Sequence, residues 1–180
     1  ADKFRQAGLE VTIEEFGMSP QAVPVAWAVN VRGGDETLDL TSASPIITFD
    51  RYMPTATGDL NLDVAWVGLG MASDFVGKEV RGKAVFIYSV PTPSSLIQSA
   101  SWMGSLRRAQ EAGAAAIVVV LAIPGNMAFV SHVQGLANDR KVPVFTVGLD
   151  DGEKVETLNA ALAATNRPLR AHLQWTVETT

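Results

Sequence analysis

The sequence predicts a mixed α/β fold, an open β-barrel or β-sheet with a few flanking helices. Strand patterns occur in eight or nine segments, whereas only two internal helices are indicated. Three strand segments, 83–90, 115–121 and 142–147, are almost continuously apolar, which is typical of strands covered on both faces. A predicted helix, 102–113, lies between two of them, but no regular βαβ repeat follows. A mixed sheet is therefore favoured over a regular parallel α/β fold.

Six other segments predict shorter or half-buried strands. In most of them apolar and polar residues alternate, as in a strand with one buried face; the segments are 9–16, 23–31, 37–40, 46–49, 60–66 and 169–177. One face of 23–31 would carry Val23, Val25, Trp27, Val29 and Val31. Because Pro24 has no backbone N–H, this strand is expected at a sheet edge or with a bulge.

Helices are predicted in three places. A short helix over 2–7 would end at Gly8, since glycine readily adopts the left-handed conformation of a helix C-terminus. The second helix is 102–113. The third opens near Asp150, where the spacing of Asp150 and Glu153 predicts a capping box, and its buried face would carry Val155, Leu158 and Leu162.

The composition indicates roughly one globular domain and limits its partners. The chain has 180 residues, 47% of them hydrophobic and 18% charged, so a disordered chain is excluded. Its 14 basic and 19 acidic residues give a net charge of -5, which argues against nucleic acid or an anionic membrane as partner. The longest apolar run, 114–123, is half the length of about 20 residues that a membrane-spanning helix needs.

The inventory of reactive side chains is poor. The chain has no cysteine, which excludes disulfides, a thiol nucleophile and thiolate metal ligands. Its two histidines, His132 and His172, are far apart in the sequence, so an autonomous zinc enzyme is not favoured. His172 falls on the polar face of the last predicted strand, where it is expected to be exposed.

Two glycine-containing segments resemble phosphate-binding loops but are interpreted as turns. Residues 77–84 have the spacing GxxxxGK, yet Ala84 replaces the hydroxyl residue and a strand follows instead of a helix. Gly68-Leu69-Gly70 follows a strand, but Ser73 occupies the place of the third glycine. A small-molecule binding module using the 68–70 turn is kept as an alternative hypothesis.

The predicted loops carry the candidate contact residues. Apolar side chains on the loops 91–103 and 124–140 are expected to pack under the loops as a satellite core, with a recognition patch as the alternative. The candidates for contact with a substrate or partner are Trp102, Met103, Met127, Phe129 and His132. Ser131 and His132, with Asp150 or Asp151, leave a small hydrolase as a second alternative.

From Gly58 to Ala163 the chain resembles the protease-associated (PA) domain. The resemblance rests on five pieces in order: VAWVGLG (64–70), DFVGKEVRGKAVFI (74–87), RAQEAGAAAIVV (108–119), VPVFTV (142–147) and Asp151-Gly152. The flank FRQAGLEV (4–11) is similar to the helix-to-strand start of zinc-dependent aminopeptidases that bind two metal ions, in which the PA domain is an insertion. The loop 91–101 lacks the cysteine found in many PA domains.

The resemblance implies a division of the chain and a role without catalysis, as an active-site lid, a substrate-positioning wall or a protein-interaction module. Residues 1–57 would be an N-terminal flank, 58–163 the PA core and 164–180 a strand returning to the peptidase domain. No catalytic or metal-binding residue is implied in the chain itself. Zinc would belong to the parent enzyme, with ligands starting at a His-x-Asp motif beyond Thr180. The implied partners are the host catalytic domain and a peptide or protein substrate, in a periplasmic or secreted parent; a subtilisin-like parent is the alternative.

Overall fold

The computed structural model describes residues 1–14, 17, 22–45, 56–89, 100–122, 124–126 and 142–179, with the backbone alone for 100–103. Within them lie eight strands: β1 (Ala22–Gly33), β2 (Glu36–Asp39), β3 (Ser44–Pro45), β4 (Gly58–Trp66), β5 (Ala84–Ser89), β6 (Ala116–Leu121), β7 (Val144–Val147) and β8 (Arg170–Thr179). The helices are α1 (Asp2–Gln6), α2 (Ala100–Glu111) and α3 (Leu149–Ala163), with a 3₁₀ turn over Ala72–Phe75.

The described strands form one mixed sheet in the order β2-β1-β8-β4-β5-β6-β7-β3. The four central strands β4, β5, β6 and β7 are parallel, and the remaining pairs are antiparallel. The sheet curls into a half-barrel, since Phe145 on β7 and Trp175 on β8 touch with ring centroids 5.8 Å apart although three strands separate them. The predicted mixed α/β architecture with an open barrel is confirmed at this level.

Each face of the central strands has its own apolar core. Side chains alternate across a strand, so Phe86 and Val118 lie in the core inside the half-barrel, whereas Val85 and Ile117 lie in the core outside it. Helix α3 covers the inner core with its predicted face, Val155, Leu158 and Leu162. Helix α2 covers the outer core with Leu106 and Ala109. The predicted two-sided burial of β5, β6 and β7 is therefore confirmed.

A bulge changes the predicted face of β1. The register against β8 shifts between Pro24 and Ala26, as the proline predicted. One extra residue in a strand exchanges the two faces on either side of it. Val29 and Val31 are buried as predicted, whereas Val23 and Val25, before and within the bulge, are exposed. Trp27 lies after the bulge on the same face as Val29 but is 39% exposed, and its Nε1 donates to Ala43 O at 2.7 Å.

The predicted strand 9–16 is wrong over 9–14. These residues follow α1 and Gly8, but they form no strand and pair with none of the described strands. Leu9 and Ile13 are 56% and 61% exposed. The alternating pattern is present in the sequence, but a strand also needs a neighbour to accept its backbone hydrogen bonds. Residues 15, 16 and 46–49 lie outside the described part of the chain.

We expect Gly152→Ala to lower the free energy of unfolding by about 1–3 kcal/mol, because the new methyl group would overlap Val120 Cγ1. Val120 is a branched, fully buried side chain on β6 and cannot move aside easily. Urea unfolding followed by circular dichroism measures the change.

Gly104→Ala is the matched control for this substitution. It also replaces a helical glycine, but its nearest neighbour is Nη1 of Arg108, 3.1 Å from the added Cβ, so a shift of a few tenths of an ångström relieves the contact. Alanine is favoured over glycine inside a helix, so Gly104→Ala should be neutral or stabilising. Equal effects of the two substitutions would contradict the close packing of α3 on β6.

Candidate functional site at the carboxyl edge

The carboxyl ends of β4, β5, β6 and β7 meet at one edge of the sheet, which we call the carboxyl edge. The loops that follow these strands start there, including both loops predicted to carry the contact residues. The two ends of the sheet-forming chain lie at the opposite edge: Ala22 pairs with Thr179, and Gly58, the first residue of β4, pairs with Trp175. Loops of this kind, placed by a rigid scaffold, commonly carry binding function.

The loop after β4 presents large apolar side chains to solvent. Leu69, Met71 and Val76 are 48%, 49% and 80% exposed, although the loop itself is ordered by a 3₁₀ turn. Asp74 caps this turn by accepting a hydrogen bond from Met71 N at 2.9 Å. Exposed apolar groups held in one conformation lose little entropy when a partner binds.

Helix α2 fixes the start of the same loop. Ser105 Oγ donates to Leu69 O at 2.9 Å, and Arg108 Nε donates to Gly70 O at 2.7 Å. Gly68 and Gly70 have φ of 57° and 65°, and a side chain at Gly70 would collide with Ser105. The predicted turn at 68–70 is confirmed. It packs against α2, so it is not an open phosphate-binding loop.

A buried carboxylate, Asp151, joins three segments at this edge. Its Oδ2 accepts hydrogen bonds from Ser42 Oγ at 2.6 Å and from Ser42 N at 3.0 Å. Its Oδ1 accepts from Asn126 Nδ2 at 3.0 Å, and Lys154 lies 3.4 Å away. Ser42 Oγ also accepts from Gly148 N at 2.8 Å. The segment before β3, the loop after β6 and the start of α3 are thereby fixed to one another.

The hydrogen bonds outweigh burial in setting the charge of Asp151. Burial by itself raises the pKa of this carboxyl, but the donors from Ser42, Asn126 and Lys154 together lower it below the usual value of 3.8. Asp151 is therefore ionised at neutral pH, with its oxygens engaged by the chain's own donors. It is a structural group and not a free acid or base.

The predicted capping box at Asp150 and Glu153 is wrong. The N-cap residue of α3 is Gly148, two residues earlier, which has no side chain to cap the helix. The first amides bond to more distant groups instead: Gly148 N to Ser42 Oγ, Leu149 N to Gly125 O and Asp151 N to Asn126 Oδ1. Sequence spacing could not reveal this, because Ser42 and Asp151 are 109 residues apart.

Two aromatic rings and a carboxylate form a corner where β4 and β5 end. Trp66 and Tyr88 are half-buried and stand almost perpendicular, with centroids 5.2 Å apart. Tyr88 Oη donates to Glu156 Oε2 on α3 at 2.8 Å. Burial, the hydrogen bond to Glu156 and the charges of Glu156 and Glu153 raise the pKa of Tyr88, so its hydroxyl stays protonated as a donor. We call Trp66, Tyr88 and Glu156 the aromatic corner.

The structure places only part of the predicted contact residues. Trp102 and Met103 belong to the first turns of α2, which begins at Ala100, so 100–103 is helical and the predicted loop 91–103 is too long by four residues. Met127, Phe129 and His132 lie outside the described residues, as does Ser131. Their role in contacts stays a prediction.

The remaining candidate motifs have structural roles. Residues 77–84 form turns leading into β5, as expected, with Gly77 and Gly82 at positive φ. His172 lies on the polar face of β8, where Nε2 is 2.7 Å from Asp59 Oδ1. A hydrogen bond from Gln174, with a further contribution from His172, lowers the pKa of Asp59.

Two features are absent from the described residues. No group of three or more His, Asp or Glu side chains that could hold a metal ion was found among them. No helix in that part of the chain has both the length and the apolar character needed to cross a membrane.

Comparison with solved structures identifies the fold. The chain aligns over 100% of its length with a zinc aminopeptidase from Bacillus subtilis (TM-score 0.60, 17% identity) and over 99% with an aminopeptidase from Aneurinibacillus sp. strain AM-1 (0.57, 19%). It aligns over 83% with a psychrophilic subtilisin-like protease from Pseudoalteromonas sp. AS-11 (0.52, 18%). The chain spans only about a third of the length of these proteins: 37% of each aminopeptidase and 33% of the subtilisin-like protease. No family model and no curated protein matches the sequence.

These similarities show a shared fold and nothing more specific, because all the sequence identities are below 20%. The fold occurs as roughly a third of two aminopeptidases and of a subtilisin-like protease. The residues that organise the carboxyl edge here, Ser42, Asn126, Tyr88 and Glu156, were not predicted from the sequence. No local motif marks them, because their partners come from distant segments.

We expect Ser42→Ala to lower the free energy of unfolding by about 1–3 kcal/mol at pH 7, because it removes a donor to a buried carboxylate and the acceptor of Gly148 N. Ser73→Ala, at an exposed position of the 3₁₀ turn, is the control and should have little effect. Urea unfolding of both variants measures the difference.

The loss should depend on pH. Because the pKa of Asp151 is lower in the folded chain than in the unfolded one, its contribution is fully present above about pH 5 and disappears as the pH falls through the folded value. The difference between wild type and Ser42→Ala should therefore shrink towards pH 3. A difference that is constant from pH 7 to pH 3 would show that Ser42 does not act through the Asp151 charge.

Proposed function

We propose that this chain is a non-catalytic protease-associated domain of a zinc-dependent exopeptidase, which positions or screens peptide substrates beside the active site. The single observation that carries the proposal is the alignment of the whole chain with about 37% of two aminopeptidases, one of them described as a zinc enzyme. The ordered resemblance of 58–163 to the PA domain agrees with it.

The arrangement of the strands supports an inserted domain. β1 and β8 are antiparallel neighbours, and their outer ends meet where Ala22 pairs with Thr179. Paired residues of this kind have Cα atoms about 5 Å apart, so the polypeptide enters and leaves the sheet at one place. A host domain could then continue on both sides without distortion. Within this proposal 1–57, 58–163 and 164–180 are the flank, the PA core and the return strand.

The carboxyl edge supplies a contact surface on the side away from that junction. Its loop after β4 holds Leu69, Met71 and Val76 exposed on a fixed backbone. Such a surface acts by excluding bulky substrates and by binding parts of the peptide remote from the scissile bond. Zinc and the proton-transfer groups would belong to the host catalytic domain. A periplasmic or secreted location is part of the same proposal.

A subtilisin-like parent is the second candidate, and one observation favours it. The chain aligns over 83% of its length with a third of a subtilisin-like protease. The TM-score of 0.52 is lower than the 0.57 and 0.60 obtained with the aminopeptidases. The two parents differ in what would follow Thr180: a His-x-Asp motif and later Glu-Glu in the zinc enzyme, or a serine-protease core.

The isolated chain should bind no stoichiometric zinc and hydrolyse no aminoacyl p-nitroanilide. Zinc is measured by elemental analysis after gel filtration, and hydrolysis by absorbance at a saturating concentration of leucine p-nitroanilide. A two-zinc aminopeptidase treated in the same way is the positive control. One or more equivalents of zinc together with turnover would overturn the proposal of a non-catalytic domain.

Deletion of 22–179 from the parent enzyme should leave the catalytic domain intact. Because Ala22 and Thr179 are paired, a linker of a few Gly and Ser residues can join the flanks. We expect hydrolysis of the small p-nitroanilide to be retained, and the ratio of kcat/KM values for long and short peptides to change by about tenfold or more, or roughly 1.4 kcal/mol. An unchanged ratio with bound zinc intact would contradict a role in substrate screening.

A further inference from the structure

The aromatic corner holds two partly exposed aromatic rings in a fixed arrangement at the carboxyl edge. Trp66 and Tyr88 are half-buried and nearly perpendicular, with an interplanar angle of 81°. Phe86, fully buried, stacks on Trp66 with centroids 5.8 Å apart and holds its ring in place. Tyr88 is held at its other end by Glu156. The exposed parts of both rings are therefore presented to solvent in a defined geometry.

Negative charge lies beside these rings. Glu153 and Glu156 are exposed on neighbouring turns of α3, and both act electrostatically on Tyr88. The ion pairs found between described residues include neither glutamate. One oxygen of Glu156 accepts from Tyr88, while no hydrogen bond to Oε1 is found from the residues that the structure describes. The corner thus combines π faces with a carboxylate oxygen that is open to a further donor.

We infer that the aromatic corner binds the positively charged side chain of a lysine or arginine residue in a peptide. A cation is attracted to the faces of Trp and Tyr by their quadrupoles, and the Glu156 carboxylate adds a charged hydrogen bond. An anionic peptide would be repelled by Glu153 and Glu156, and a neutral one would gain only apolar contact. The inference rests on the proposed function, because it takes this peptide to be a substrate of the parent enzyme.

Binding is tested on the isolated chain with three peptides: Ac-Ala-Lys-Ala-NH₂, its norleucine analogue and its glutamate analogue. The probe is the indole N–H signal of Trp66 in ¹⁵N-labelled protein, assigned by its loss in Trp66→Phe. The lysine peptide should shift this signal, and the norleucine and glutamate peptides should not. Added salt should weaken binding, since the carboxylates are exposed.

Glu156→Gln is the decisive variant. Glutamine keeps an acceptor for Tyr88 Oη but removes the charge, so the Kd for the lysine peptide should rise about fivefold or more. Glu111→Gln, an exposed glutamate on α2 across the sheet, changes the net charge equally and should leave the Kd unchanged. Equal binding of the norleucine peptide, or an unchanged Kd in Glu156→Gln, would overturn the inference.

A cation of the chain itself, Lys78, provides the competing occupant, because its Nζ donates to Trp66 O beside the corner. If Lys78 filled the corner, Lys78→Gln would bind the lysine peptide about tenfold more tightly than wild type, which would also overturn the inference. No assay in this set uses zinc or turnover. Absence of peptide binding would therefore overturn this inference without contradicting the proposed PA role. Catalytic activity of the isolated chain would contradict the proposed role without changing the binding result.

Discussion

The position of α3 depends on one buried charge, Asp151. Helix α3 closes the inside of the half-barrel, because its apolar face packs on the core formed by both the parallel and the antiparallel strands. Asp151 bonds to Ser42 and Asn126, so the start of this helix is fixed to the segment before β3 and to the loop that follows β6. A buried carboxylate depends on such donors, since an unpaired buried charge is very costly. The three segments therefore stabilise one another.

This constraint also determines which surface remains for binding. The amides at the start of α3 would otherwise form an anion site, but Ser42, Asn126 and Gly125 occupy them. What the carboxyl edge offers instead is apolar on the side of β4, at Leu69 and Met71, and aromatic and acidic where β5 meets α3. Exposed groups of this kind are typical of contact surfaces. In the part of the chain that the structure describes, no cluster of metal-binding side chains accompanies them.

The sequence predicted the fold where burial alone decides it. Strands β5, β6 and β7 are apolar on both faces, and no other packing would hide them, so their identity as central strands followed from composition. Leu9–Ile13 shows the converse: alternation is a local property, whereas a strand is completed by a partner that none of the described residues provides. The hydrogen bonds around Asp151 at the carboxyl edge could not be predicted from the sequence for the same reason: their partners lie far apart in the chain. Asp150 and Glu153 have the local spacing of a capping box, but the amides of Gly148 and Asp151 bond instead to the side chains of Ser42 and Asn126, which come from distant segments.

The directions of the strands connect these observations to the proposed function. Because β1 and β8 run antiparallel to each other and β8 runs antiparallel to β4, the start of β1 and the end of β8 lie at one edge, and the loops after the parallel strands lie at the other. A strand of nine residues, such as β4, spans roughly 30 Å between these edges. A domain attached at that edge can carry a recognition surface some distance from its junction with the host. Its rigid core then fixes the position of this surface relative to the junction. Substrate contacts at such a distance change which peptides bind and how they are placed, and they leave bond cleavage to the groups of another domain.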